Sequence, residues 1–169
     1  MIRSLNGKIP KIAESAFISE AAYVVGDVEI GENSSVWPGT VIRADFSKMR
    51  IGKNTAVEDN CVIHAGMGDV IIGDDVIIGH GVVIDSAKIG NNILIGMNST
   101  ILQDAEIGDL CIIAAGCVVK EGMKIPDKSL VAGVPGEIKG EAPQQQLLLW
   151  TQGGGAYAKL AEQYKEQGL

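Results

Sequence analysis

A beat of six residues runs through most of this 169-residue chain, and it constrains the fold more tightly than any other feature. Its rungs are Ile12, Ile18, Val24, Ile30, Val36, Ile42, Ile51, Val57, Ile63, Ile72, Ile78, Ile84, Ile89, Ile95, Ile101, Ile107, Ile113, Val119, Ile125 and Val131. Each is Ile or Val. The step is nine from Ile42 to Ile51 and from Ile63 to Ile72, five from Ile84 to Ile89, and six everywhere else. Four residues after most rungs sits a mostly small residue, as at Ala16, Ala22, Ser34, Thr40, Thr55, Cys61, Ser99, Ala105, Cys111, Cys117 and Ser129. So regular a period is the mark of a solenoid, whose units bury a core by stacking on their neighbours.

Each hexad reads as one short strand and a corner, and three hexads close a triangular coil of about 18 residues. Strands of successive coils then pair in parallel about 4.8 Å apart. β-Branched residues suit such a buried, pleated stack, and the small position lets the corner close. Gly31, Gly52, Gly73, Gly90 and Gly108 follow rungs directly, where a tight turn favours a residue without Cβ. The rungs amount to about seven coils. The expected fold is therefore an all-β repeat, a single-domain parallel β-helix over residues 12–135. Residues 1–11 form a lead-in that covers the open edge of the first coil. Gly133-Val134-Pro135-Gly136 ends the repeat, and residues 136–169 form a helical segment packed on the β-helix. Within it, 144–150 reads as helix, and so does 156–167 after a run of three glycines. Tyr157, Leu160, Ala161 and Tyr164 share one face of this last helix.

A formal net charge of −7 argues against nucleic acid and against anionic membranes as partners. No apolar run approaches a membrane span, and the N-terminus lacks the apolar core of a secretion signal. Cys61, Cys111 and Cys117 all fall in the small inward slot, so they read as buried thiols of a reduced, cytoplasmic protein.

The histidines are His64 and His80. His64 follows rung Ile63, and Asp85 follows rung Ile84 one coil on; the intervening nine-residue step keeps the face count in phase. Both should point outward in one column, about 5 Å apart between backbones. Arg43, after rung Ile42, belongs to the same column. His80 lies two residues past Ile78 on the preceding face, directly over Asp59. The two columns are on the order of 15 Å apart. One chain cannot join them, but neighbouring chains around a three-fold axis can, with loops 44–50 and 65–71 beside the junction. Trp37 and Met67 lie near these loops and read as packing residues.

Arg43-Ala44-Asp45, the Asp59-to-His64 stretch, Ile78-Gly79-His80 and Gly133-Val134-Pro135 together resemble the γ-class carbonic anhydrases and their ferripyochelin-binding-like, hexapeptide-repeat relatives. The resemblance covers nearly the whole chain. It implies a left-handed helix, a homotrimer, and metal sites between subunits that hydrate carbon dioxide to bicarbonate. Carried over by motif, His64 and His80 are metal ligands, with His80 supplied by the neighbour, and Asp85 holds the position of the third ligand. Arg43 and Asp59 match an intersubunit ion pair, Asp45 a residue that holds active-site solvent, and Tyr157 lies within the resemblance. The chain departs from the pattern at Asp85, where His is expected, at Glu58, where Gln is usual, and at Phe46, where the founding type has a proton-transferring glutamate. Arg43, Asp45, Glu58 and Tyr157 are thus the candidate catalytic residues. The implied metal is zinc, with Fe(II) or Co(II) as alternatives. A His₂-carboxylate set binds zinc, but an anionic ligand lowers the charge that acidifies bound water, so metal binding or hydration is expected to be weaker than with three histidines.

Competing readings remain open from sequence: an acyltransferase or thioesterase with His80 as general base, or a non-catalytic trimer that binds a partner or ion. The absence of a basic cluster for a nucleotide phosphate weighs against the first of these.

Overall fold

In the computed structural model, which describes Met1 to Leu169, the six-residue beat resolves into three columns in register. One runs Ile18, Val36, Val57, Ile78, Ile95, Ile113 and Val131. A second runs Val24, Ile42, Ile63, Ile84, Ile101 and Val119. The third runs Ile12, Ile30, Ile51, Ile72, Ile89, Ile107 and Ile125. Every rung has a place, and each column follows one face of a triangular prism. The architecture is a left-handed parallel β-helix of about seven turns with helices at its C-terminal end. All rungs are buried except Ile12 and Ile18 in the first coil, which are partly covered. Each fully buried aliphatic side chain contributes about 1.5–3 kcal/mol through burial.

The inward small position works as the sequence suggests and does more. The Thr40 hydroxyl donates to the Glu58 carbonyl (2.6 Å) and accepts from the Cys61 N–H (3.2 Å), so it stitches adjacent coils. Cys61, Cys111 and Cys117 are free and buried. Burial pushes the Cys61 thiol up to about 11 and removes its nucleophilic form at neutral pH.

The glycines after the rungs have a different cause from the one expected. A Cβ on Gly52 would sit 2.5 Å from the Gly73 carbonyl oxygen of the next coil, so close approach excludes a side chain there. The left-handed backbone occurs instead at the corners, where Asn33, Asn54, Asp75 and Asn92 recur at positive φ. Asx residues tolerate that region better than most side chains.

The three faces wear different outer surfaces. On the first, Phe17, Ser35, Ala56 and Ile77 are buried beneath α1 (Gln144–Thr151) and α2 (Gly155–Gln167). Tyr157, Ala161 and Tyr164 of α2 pack on Phe17 and Trp37. The Trp37 ring meets Tyr164 at 5.0 Å and Tyr157 at 5.7 Å, edge to face. Trp37 is thus a packing residue, though of the helix-covered face rather than of the loops. Leu160 does not join the stripe and is exposed.

On the third face Lys11, Glu29, Arg50, Ile71, Lys88, Glu106 and Lys124 stack in register, charges of opposite sign mostly adjacent. The second face presents Val41, Val62, Val83, Thr100 and Val118 instead. At the N-terminus Ile2–Arg3 pairs in parallel with Val24 and Val25. At the other end Glu137–Glu141 folds back antiparallel on Ser129–Ala132, a strand absent from the sequence reading. No helix is long and apolar enough to cross a membrane.

Candidate metal centre

The outward column of the second face assembles as its spacing requires. Arg43 pairs with His64 across adjacent strands, and His64 with Asp85. The His64 ring lies between two carboxylates: Asp45 Oδ2 is 3.6 Å from Nε2, and Asp85 Oδ1 is 3.7 Å from Nδ1. Arg43 holds Asp45 at 2.7 Å. Nε2 is buried and has no hydrogen-bond partner. A desolvated, unpartnered imidazole nitrogen is costly, and its lone pair suits a cation. Phe46, 75% exposed, stands edge-on to this ring at 6.5 Å. Met67 is 85% exposed, contrary to the packing role expected of it.

His80 belongs to a separate cluster. Its Nε2 lies 3.0 Å from Glu58 Oε2, and its Nδ1 lies 3.0 Å from Asp59 Oδ2. The same Glu58 oxygen accepts the His80 backbone N–H at 3.0 Å. Glu58 is only 5% exposed, and a carboxylate so buried needs several donors. Tyr157 of α2 stands nearby: burial pushes its hydroxyl above its ordinary range, and the neighbouring Glu58 and Asp59 carboxylates add to the shift. The last helix thus brings Tyr157 alongside the His80 cluster.

Within one chain the ligand candidates do not converge: no three His, Cys, Asp or Glu side chains come together as a metal site. Nor do Arg43 and Asp59 meet; Arg43 is held by Asp45, and Asp59 by His80.

The family model for the bacterial transferase hexapeptide (six repeats) matches residues 9–44 and 86–121. A probable carbonic anhydrase of Methanocaldococcus jannaschii is 44% identical over 152 residues, which are 89% of this chain and 96% of that one. The chain belongs to the γ-carbonic-anhydrase-like hexapeptide-repeat family. The mitochondrial γ carbonic anhydrase 2 of Arabidopsis thaliana is 29% identical over 92% of this chain, which spans 58% of that relative's length. A solved structure described as a putative acetyltransferase of Bacillus cereus superposes with a TM-score of 0.94 at 39% identity, covering 98% of this chain and 97% of that one.

Relatives named as carbonic anhydrases imply a metal cofactor. The residues present suit one in part. His64 offers a bare buried nitrogen, and Asp45 and Asp85 offer carboxylates. His80 has both ring nitrogens engaged, so ligation there requires it to release a carboxylate.

Sequence reasoning missed Ser86. Its hydroxyl ties Asp85 to the loop after His64. The one available signal was a serine in a corner whose counterparts in the next two coils are Asp104 and Gly122.

Proposed function

We propose that this protein is a γ-class carbonic-anhydrase-like metalloprotein in which a homotrimer forms sites from His64 and Asp85 of one copy and His80 of a neighbour. The observation that carries the reading is the buried, unpartnered Nε2 of His64, with the Asp45 carboxylate 3.6 Å from it and Asp85 beside the other ring nitrogen, on a face whose outer residues are mostly apolar. Val62 and Val83 are 41% and 40% exposed there, stacked in register beside the His64 column. An apolar column next to a half-built polar site suits an interface between copies.

A divalent ion such as zinc, or Fe(II) or Co(II), would supply Lewis-acid activation of water toward carbon dioxide. The chain's own residues do the rest. Asp45, held by Arg43, orients solvent beside His64. The Arg43 guanidinium, half exposed, attracts the anionic product bicarbonate. Glu58 fixes the His80 ring from the buried side, with Tyr157 closing that side to water. Phe46 shields the His64 edge with an apolar ring suited to an uncharged substrate. Asp85 in the ligand set brings an anionic charge that lowers the cation's power to acidify water, so hydration runs below that of a three-histidine site.

Metal content and carbon dioxide hydration of the anaerobically purified protein, measured beside Asp85→His, test this reading. Metal in the wild type, with hydration that rises in Asp85→His, supports a working but weakened site. Metal and activity only in Asp85→His would mean that this chain has left the chemistry. A metal-free, inactive variant would sink the site altogether.

A second reading has one observation in its favour. His80 against the buried Glu58 is a histidine–carboxylate pair able to act as a general base once its Nδ1 leaves Asp59, and the Bacillus cereus structure is described as a putative acetyltransferase. Turnover of an acyl-CoA in the presence of chelator would favour it.

A further inference from the structure

The corner after Asp85 carries a residue that neither the repeat nor the ligand set calls for. Ser86 has φ of 47°, inside the left-handed region, where glycine is easiest and a serine is an uncommon occupant. One and two coils later the same corner holds Asp104 and Gly122, also at positive φ. Ser86 is 3% exposed, and its backbone is spent on the stack: its N–H donates to the His64 carbonyl at 3.0 Å, and its carbonyl accepts from Asp104 at 2.9 Å.

The hydroxyl is fully committed. It lies 3.2 Å from the N–H groups of both Gly66 and Gly68, and 2.9 Å from Asp85 Oδ1. Backbone amides can only donate, so both oxygen lone pairs are occupied and the single O–H must point to the carboxylate. Gly66 in turn packs against the pair, because a Cβ there would meet His64 Cε1 at 3.1 Å and Asp85 Oδ1 at 3.2 Å. The loop is also held from its other side, where the Ser47 hydroxyl donates to the Gly66 carbonyl at 3.0 Å.

We propose that Ser86 is a positioning residue of the site, whose hydroxyl fixes the Asp85 carboxylate and latches residues 66–68 against His64. The Asp85 side chain is 45% exposed and lies beyond hydrogen-bond reach of His64, so without the latch its short side chain would rotate freely. With Oδ1 tied to Ser86, Oδ2 is the oxygen left for a ligand. The inference rests on the metal reading for its consequence, and on the hydrogen bonds alone for the latch.

Ser86→Gly is the suitable variant, since it removes the hydroxyl while glycine accepts the backbone angle, and folding is spared. The experiment has two arms. Amide hydrogen exchange at Gly66 and Gly68, on the metal-free full chain, should quicken by about tenfold or more in Ser86→Gly. Co(II) titration, read by its visible absorption, should show affinity falling by about tenfold or more in Ser86→Gly. In an Asp85→Ala background Ser86→Gly should cause no further loss, because the hydroxyl acts through the carboxylate. Unchanged exchange, or losses that simply add in the double variant, would overturn the proposal. If the wild type takes up no cobalt, the metal reading fails. The latch is then decided by the exchange arm, where retained protection in Ser86→Gly overturns it and lost protection sustains it.

Discussion

The second and third faces of the prism share one interior and differ in everything outside it. Inside, Ile84 and Ile89 do the same job at 0% and 3% exposure. Outside, the third face spends its surface on charge: Arg50 pairs with Glu29 at 2.9 Å and Asp27 at 3.0 Å, and Glu106 lies 3.5 and 3.6 Å from Lys88 and Lys124. The second face sets valines in the equivalent positions and follows them with Arg43, His64 and Asp85. Alternating charge suits a face that stays in water and discourages pairing with another chain. Valine rows beside a buried, unpartnered imidazole suit a face that meets one. The fold is written on the inward positions, and the purpose of each face on the outward ones.

The comparison can be tested from both sides. The largest effect should come from the shared interior: Ile84→Ala and Ile89→Ala should each cost about 2–5 kcal/mol in denaturant unfolding, by lost burial plus cavity. A marked inequality between them would show that the two faces are not equivalent inside. Next come the outer surfaces. Val83→Glu should break the assembly into smaller species in sedimentation and abolish metal uptake, since a buried unpaired charge at an interface is prohibitive. The matched change Lys88→Glu should leave the mass unaltered. Smaller again is Glu106→Ala, which removes exposed ion pairs and should shift stability by no more than about 1 kcal/mol, fading in high salt.

A last effect concerns pH. Tyr157 and Cys61 both hold their protons more tightly folded than unfolded. Their contribution is thus fully present below the ordinary thiol and phenol values of 9.0 and 10.0 and is lost as pH rises beyond them. Unfolding midpoints should fall in that alkaline window, and less steeply in Tyr157→Phe. A midpoint that rises there would contradict the burial assigned to both groups.

The interior was legible because a period of six survives in one dimension. Once Ile42, Ile63 and Ile84 are placed on one face, Arg43, His64 and Asp85 follow without any structure, and the register agrees residue by residue. The residues of the outer network obey no period. The grip of Glu58 and Asp59 on His80 joins one coil to the next and depends on rotamers. Ser86 acts through a loop that leaves the repeat altogether. Glu137–Glu141 pairs antiparallel after the beat has ended, so nothing periodic announces it. The glycines after the rungs are plain in the sequence, but their cause lies in the neighbouring coil's backbone, which a single coil's turn chemistry does not reveal.

The central claim is that His64 and His80 serve one site from two copies of the chain. Subunit mixing addresses it most directly. His64→Ala and His80→Ala, each purified alone, should assemble and bind no metal. Co-expressed, they should assemble at random, so that across all trimers about a quarter of the interfaces join an intact His64 to an intact His80. The account predicts metal at about that fraction of sites, with hydration activity returning in proportion. Mixed trimers that stay metal-free, or either single variant that keeps a full complement of metal, would contradict it.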